Sequence, residues 1–164
     1  AAMRAHPQVV GVQEAGCSAL VNLSYGDNAA GRARAQRAAE AGAIEAVVDA
    51  MQAQTQVRSL QAHGCAVLRN VCVGDDAAAS ARQLQITNAG GLEALVGAME
   101  AHAQYDVHEA GCGALLITCG RSASVAARAL QAGGRRAVAA AMQAYPGNDD
   151  LQDNGQELLD LLVE

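Results

Sequence analysis

The chain contains no tryptophan, no phenylalanine and no lysine, and only three tyrosines and two prolines among its 164 residues. The missing lysine removes Schiff-base chemistry and the lysine-bearing phosphate loop together. The missing large aromatics leave a core to be built from small and aliphatic side chains. Alanine, leucine and valine supply it, and alanine is the best intrinsic helix former. Scarce proline also favours helix over strand. The longest uncharged apolar stretch, around Gly111 to Gly120, is far too short to span a bilayer. No charged-then-apolar leader opens the chain, so no signal peptide is expected. There is no Gly-x-Ser-x-Gly elbow and no paired motif of acids, so catalysis is not expected.

A formal net charge of −6 argues against nucleic acid, whose phosphates call for a basic surface. Arginines do gather at Arg32, Arg34 and Arg37, and again at Arg135 and Arg136. These are expected to be solvated helix faces.

What the chain does contain is one phrase written three times: Val12-Gln-Glu-Ala-Gly-Cys-Ser-Ala-Leu-Val-Asn-Leu23, Leu60-Gln-Ala-His-Gly-Cys-Ala-Val-Leu-Arg-Asn-Val71 and Val107-His-Glu-Ala-Gly-Cys-Gly-Ala-Leu-Leu-Ile-Thr118. A worn fourth copy runs from Leu151 to Leu162. The steps from Gly16 to Gly64, Gly111 and Gly155 are 48, 47 and 44 residues. Such a period is the mark of a stacked helical array. A second phrase alternates with the first, at Ala41-Gly-Ala-Ile-Glu-Ala-Val-Val, Ala89-Gly-Gly-Leu-Glu-Ala-Leu-Val and Ala132-Gly-Gly-Arg-Arg-Ala-Val-Ala. All four methionines, Met3, Met51, Met99 and Met142, fall in register with it.

Three helices per unit are expected. A short polar one lies at about 29–40, 77–88 and 122–131, and an apolar one at about 42–54, 90–102 and 133–144. A long third one lies at about 8–25, 57–73, 106–119 and 148–163. Gly26, Gly74 and Gly120 are placed to end the third helices. A glycine inside each third helix should cost about 1 kcal/mol against alanine, so close approach of a neighbouring helix is expected to offset it. Cys17, Cys65 and Cys112 share one register and Cys72 and Cys119 another. Neither spacing is a zinc pattern, so buried, reduced thiols are expected, with no metal and no other cofactor. Five cysteines without a leader also point to the cytoplasm or another reducing compartment.

The unit resembles the armadillo repeat, which has three helices in about 40 residues. The second phrase is similar to that family's "Ala-Gly-Gly-Ile-x-Ala-Leu-Val" segment and the first to its third helix, "Val-Gln-Glu-x-Ala-x-x-Ala-Leu-x-Asn-Leu". The resemblance covers essentially the whole chain. It implies an all-α, right-handed superhelix of about three and a half repeats: a partial one at 1–26, two at 27–74 and 75–120, and a polar capping one at 121–164. It also implies a non-catalytic scaffold whose third helices line a groove for a partner protein. In that family an asparagine grips the partner's backbone, with a tryptophan one turn earlier. The asparagine matches at Asn22 and Asn70 and is lost at Ile117 and Leu161, while the tryptophan position holds Ser18, Ala66, Gly113 and Glu157.

Steps of four residues along the third helices give Glu14-Ser18-Asn22, Ala62-Ala66-Asn70, Glu109-Gly113-Ile117 and Asp153-Glu157-Leu161. This strip of small residues, amides and acids suits an extended or basic segment of another protein. The opening residues match the tail of a second helix, so the chain is expected to be the C-terminal part of a longer array. Its N-terminal edge would then be apolar and open to self-association.

Overall fold

The computed structural model describes residues 2–163, and these form eleven α-helices and no strand. The helices are α1 (Ala2–Ala5), α2 (Val10–Ser24), α3 (Ala29–Glu40), α4 (Ala43–Ala53), α5 (Arg58–Val71), α6 (Ala77–Asn88), α7 (Gly91–Ala101), α8 (Tyr105–Cys119), α9 (Ala123–Gln131), α10 (Gly134–Ala144) and α11 (Asp149–Leu161). Among the described residues no helix is long and apolar enough to cross a membrane.

Local chemistry sets the boundaries. Asn28, Asp76 and Asn148 each accept a backbone N–H three residues on, at 2.8 Å, and so start α3, α6 and α11. The Ala79 N–H holds the Asp76 carboxyl below its ordinary pKa. The turns into α4, α7 and α10 pass through Gly42, Gly90 and Gly133 at φ of 76°, 82° and 95°, a region that a side chain makes costly. Gly26 and Gly74 are likewise left-handed, but Gly120 has φ of −61°. The expected glycine stop is therefore not used after α8, where the chain turns directly into α9.

The long helices pack side by side, α2 on α5, α5 on α8 and α8 on α11. The apolar helices form their own row, α4 on α7 and α7 on α10, and α3 packs on α6. Leu60, Leu68, Ile86, Leu92, Leu95 and Leu115 are fully buried between these rows, each worth about 1.5–3 kcal/mol against exposure.

The two phrases meet in space. A Cβ built on Gly64 would lie 2.5 Å from the Met51 sulfur and 2.6 Å from its Cγ. Gly16 faces Met3, Gly111 faces Met99 and Gly155 faces Met142 in the same way, at 2.6–2.8 Å. What crowds the glycine is thus a methionine side chain from the preceding apolar helix. The four glycines share this contact, with Gly16 half-buried and the other three buried.

A polar ladder accompanies this seam. Gln61 Nε2 donates to the carbonyls of Met51 and Gln54 at 2.9 and 3.0 Å, closing the C-terminus of α4. Gln13 does the same to Met3 and His6, and Gln152 to Met142 and Tyr145. His108 Nε2 takes this place at Met99 O. Links between units recur as well. Gln54 donates to Pro7 O, His102 lies 2.7 Å from Thr55 O, and the Tyr145 hydroxyl donates to Ala103 O.

Arg37, Arg135 and Arg136 are exposed, as expected from charge, but several of the clustered arginines also act as clamps. Arg34 donates to Leu23 O and Tyr25 O, Arg135 to Leu162 O, and Arg136 pairs with Glu100. Guanidinium is drawn there because the last carbonyls of a helix lack intrahelical partners.

Candidate partner-binding face

One side of each long helix is left uncovered by the other rows. On α5 it carries Ser59, Ala62, His63, Ala66 and Arg69, all half-buried, while Leu60, Cys65, Val67 and Leu68 point into the core. On α8 the same side carries Glu109, Gly113, Leu116 and Ile117, again half-buried. Ser18 and Glu14 on α2 are half-buried and Asn22 is exposed. Asp153 and Glu157 on α11 are exposed.

The structure changes the character of this strip at three points. Glu14 accepts a hydrogen bond from the Ser59 hydroxyl, and Glu109 is paired with Arg69. Arg58 pairs with Asp106 at 2.7 Å, both half exposed. Two of the four acids are therefore engaged by the neighbouring helix. Second, Arg69 crosses the face. Its Cδ lies 2.9 Å from where a Cβ of Gly113 would stand, so the glycine makes room for the arginine. Third, Asn70 is only 9% exposed, and its amide donates to Val21 O of α2 at 3.4 Å. Asn70 is thus a tie between long helices, whereas Asn22 is open, its amide folded onto Ser18 O at 3.1 Å.

The free negative charge lies at the far end. Asp153 and Glu157 make no side-chain hydrogen bond or ion pair among the described residues. Val73, Gln83, Leu116, Ile117, Arg121 and Glu157 wall a cavity of about 400 Å³ at the C-terminal ends of α5 and α8, with Glu157 reaching it from α11. Its walls are largely aliphatic, with one carboxylate, Glu157, and one guanidinium, Arg121, in the lining. Arg58, Ser59 and Arg69 were not singled out from the sequence. Their signal was the spacing of Arg58 from Asp106 and of Arg69 from Glu109, about one unit each.

All five cysteines are buried and unpaired. Burial pushes each thiol up to about 12, with the nearby Cys112 adding to the rise at Cys65. None is a thiolate at neutral pH, and the thiolate is the reactive form. Among the described residues no three His, Cys, Asp or Glu side chains gather as metal ligands would.

The chain matches no family model, no curated protein and no solved structure. The reading of its function therefore rests on its own geometry.

Proposed function

We propose that the chain is a non-catalytic scaffold, an armadillo-like right-handed superhelix with three helices per repeat, that holds a partner protein along the uncovered side of α2, α5, α8 and α11. The observation that carries this reading is the partly exposed strip with Ser18, Ala62, Ala66 and Gly113 on α2, α5 and α8, crossed by Arg69 and ending at the cavity beside Glu157. Ala62, Ala66 and Gly113 let a backbone approach closely, and Asn22 offers an amide to it. The partner is an extended segment of another protein, with a basic side chain set against the exposed acids Asp153 and Glu157 of α11. Arrays of this kind work through the extended surfaces that the stacking of repeats creates.

Charge substitution tests the proposal. A chain carrying Asn22→Arg, Asp153→Arg and Glu157→Arg should melt like the parent, since all three side chains are exposed. It should lose the partners that the parent captures from cells. Retention of the same partners by the triple variant contradicts the reading.

A second reading, end-to-end self-assembly, draws on Val9 and Val10, which are 50% and 40% exposed at the start of α2. Sedimentation decides it: mass that rises with concentration and falls back on Val9→Glu would support assembly, and a constant monomer would exclude it.

A further inference from the structure

Where α6 packs on α4, Glu45, Ala81, Leu84, Gln85, Asn88 and Ala89 line a groove of about 410 Å³ that shares no residue with the face described above. Two of these residues depart from the pattern of the repeat. The register of Gln85 holds Arg37 and Arg128 in the other short helices, and the register of Leu84 holds Gln36 and Ala127. Leu84 is 55% exposed, and among the described residues no other short helix turns a large apolar side chain outward.

The next unit shows what the arginine does at this register. Arg128 Nη2 donates to Thr87 O at 3.0 Å and stands 3.9 Å from Oε1 of Glu93, in the first turn of α7. Glu45, in the first turn of α4, is the counterpart of Glu93. Gln85 keeps both contacts with a neutral amide. Its Nε2 donates to Ala39 O at 3.5 Å and to Glu45 Oε1 at 2.7 Å. The other oxygen, Glu45 Oε2, is buried and has no hydrogen-bond partner among the described residues. No ion pair among the described residues includes Glu45. A buried carboxylate oxygen without a donor is costly, and a charged donor serves it better than a neutral one.

We propose that this groove takes an arginine side chain of a partner protein, with its guanidinium on both oxygens of Glu45 in place of the Gln85 amide. Gln85 is only half-buried, so its amide can turn out to solvent and open the way to Oε2. The guanidinium fork presents two parallel N–H groups that match a carboxylate, which an ammonium group lacks. Leu84 and Ala81 give the methylene stem an apolar bed. The charge that Arg128 supplies from within the chain is supplied here from outside it.

The probe is Nα-acetyl-arginine methylamide, titrated into the isotope-labelled full chain and followed by amide chemical shifts. Saturable shifts are expected at Glu45, Leu84, Gln85 and Asn88, and none from the citrulline analogue, which has the same shape without the charge. Glu45→Gln should weaken binding by about tenfold or more. Gln85→Arg should block it, because the chain then carries its own guanidinium. That variant should melt no lower than the parent, since Arg128 occupies the same register one unit on. A Gln85→Arg chain that binds the probe as the parent does overturns the proposal, as does an equal response to the citrulline analogue or no saturable shift at all. Shifts confined to Asp153 and Glu157 overturn it too, and would leave the partner-binding face as the seat of the cation.

Discussion

At the scale of single residues, the account turns on four glycines and four methionines. Both registers were legible in the sequence, and so was the need for some close approach at the glycines. That each glycine meets a methionine was not. Periodicity gives the face of a helix on which a residue lies, but not where a flexible side chain from another helix comes to rest. The contact predicts strong coupling. Gly64→Ala places a methyl within 2.6 Å of Met51 Sδ and Cγ and should destabilise by about 1–3 kcal/mol. Because the obstacle is a flexible side chain, Met51→Ala should relieve most of the penalty. A double-mutant cycle by denaturant unfolding measures this, and additive effects would show that the two residues do not meet.

The cysteines make a prediction of opposite kind, a lack of reactivity. None of the five thiols should react with a disulfide reagent until the chain unfolds. Their pH dependence has a definite sign. The folded thiols ionise at about 12, against about 9 in the unfolded chain. Between those values the folded state binds more protons. Stability is therefore whole below pH 9 and falls as pH rises toward 12. Melting followed across that range should show the fall, and Cys65→Ala should lessen its slope.

At the scale of helices, most of the helix positions could be read in advance. The expected short helices at 29–40 and 77–88 coincide with α3 and α6. The apolar helices fall within a residue or so of α4, α7 and α10, because Ala-Gly turns punctuate them without ambiguity. The long helix expected at 8–25 begins only at Val10, since Val9 is extended with ψ of 99°. The carbonyl contacts of Arg34 and Arg135 were not foreseen, because charge alone says nothing of nearby helix carbonyls in search of donors. The glutamine at the second place of the first phrase was passed over for the same reason. Gln61 satisfies two carbonyls from a buried position, so Gln61→Ala should cost about 1–3 kcal/mol. Gln56→Ala, on an exposed residue, should cost nothing measurable in the same thermal melt.

At the scale of the whole molecule, the sequence indicated which helices form the uncovered face but not its electrostatics. Asn70 looked like a ligand-gripping amide and is a tie to Val21 O. Glu14 and Glu109 looked free and are engaged by Ser59 and Arg69. Each of these involves a residue about one unit away, and single-chain periodicity cannot report which side chains meet across that gap. The free acids, Asp153 and Glu157, gather at the α11 end, and this gives the face a direction. A bound segment should place its basic residue there and its small or neutral residues toward Asn22.

Site-specific photo-cross-linking tests the central claim most directly. A photoreactive amino acid would be placed at Asn22 or Asp153, both exposed on the proposed face, or at Gly97 of α7, which is exposed with nothing within 4 Å of it. The account predicts that one partner is captured from cells at Asn22 and at Asp153 and is absent at Gly97. Capture of that partner at Gly97, with none at the two face positions, would contradict it.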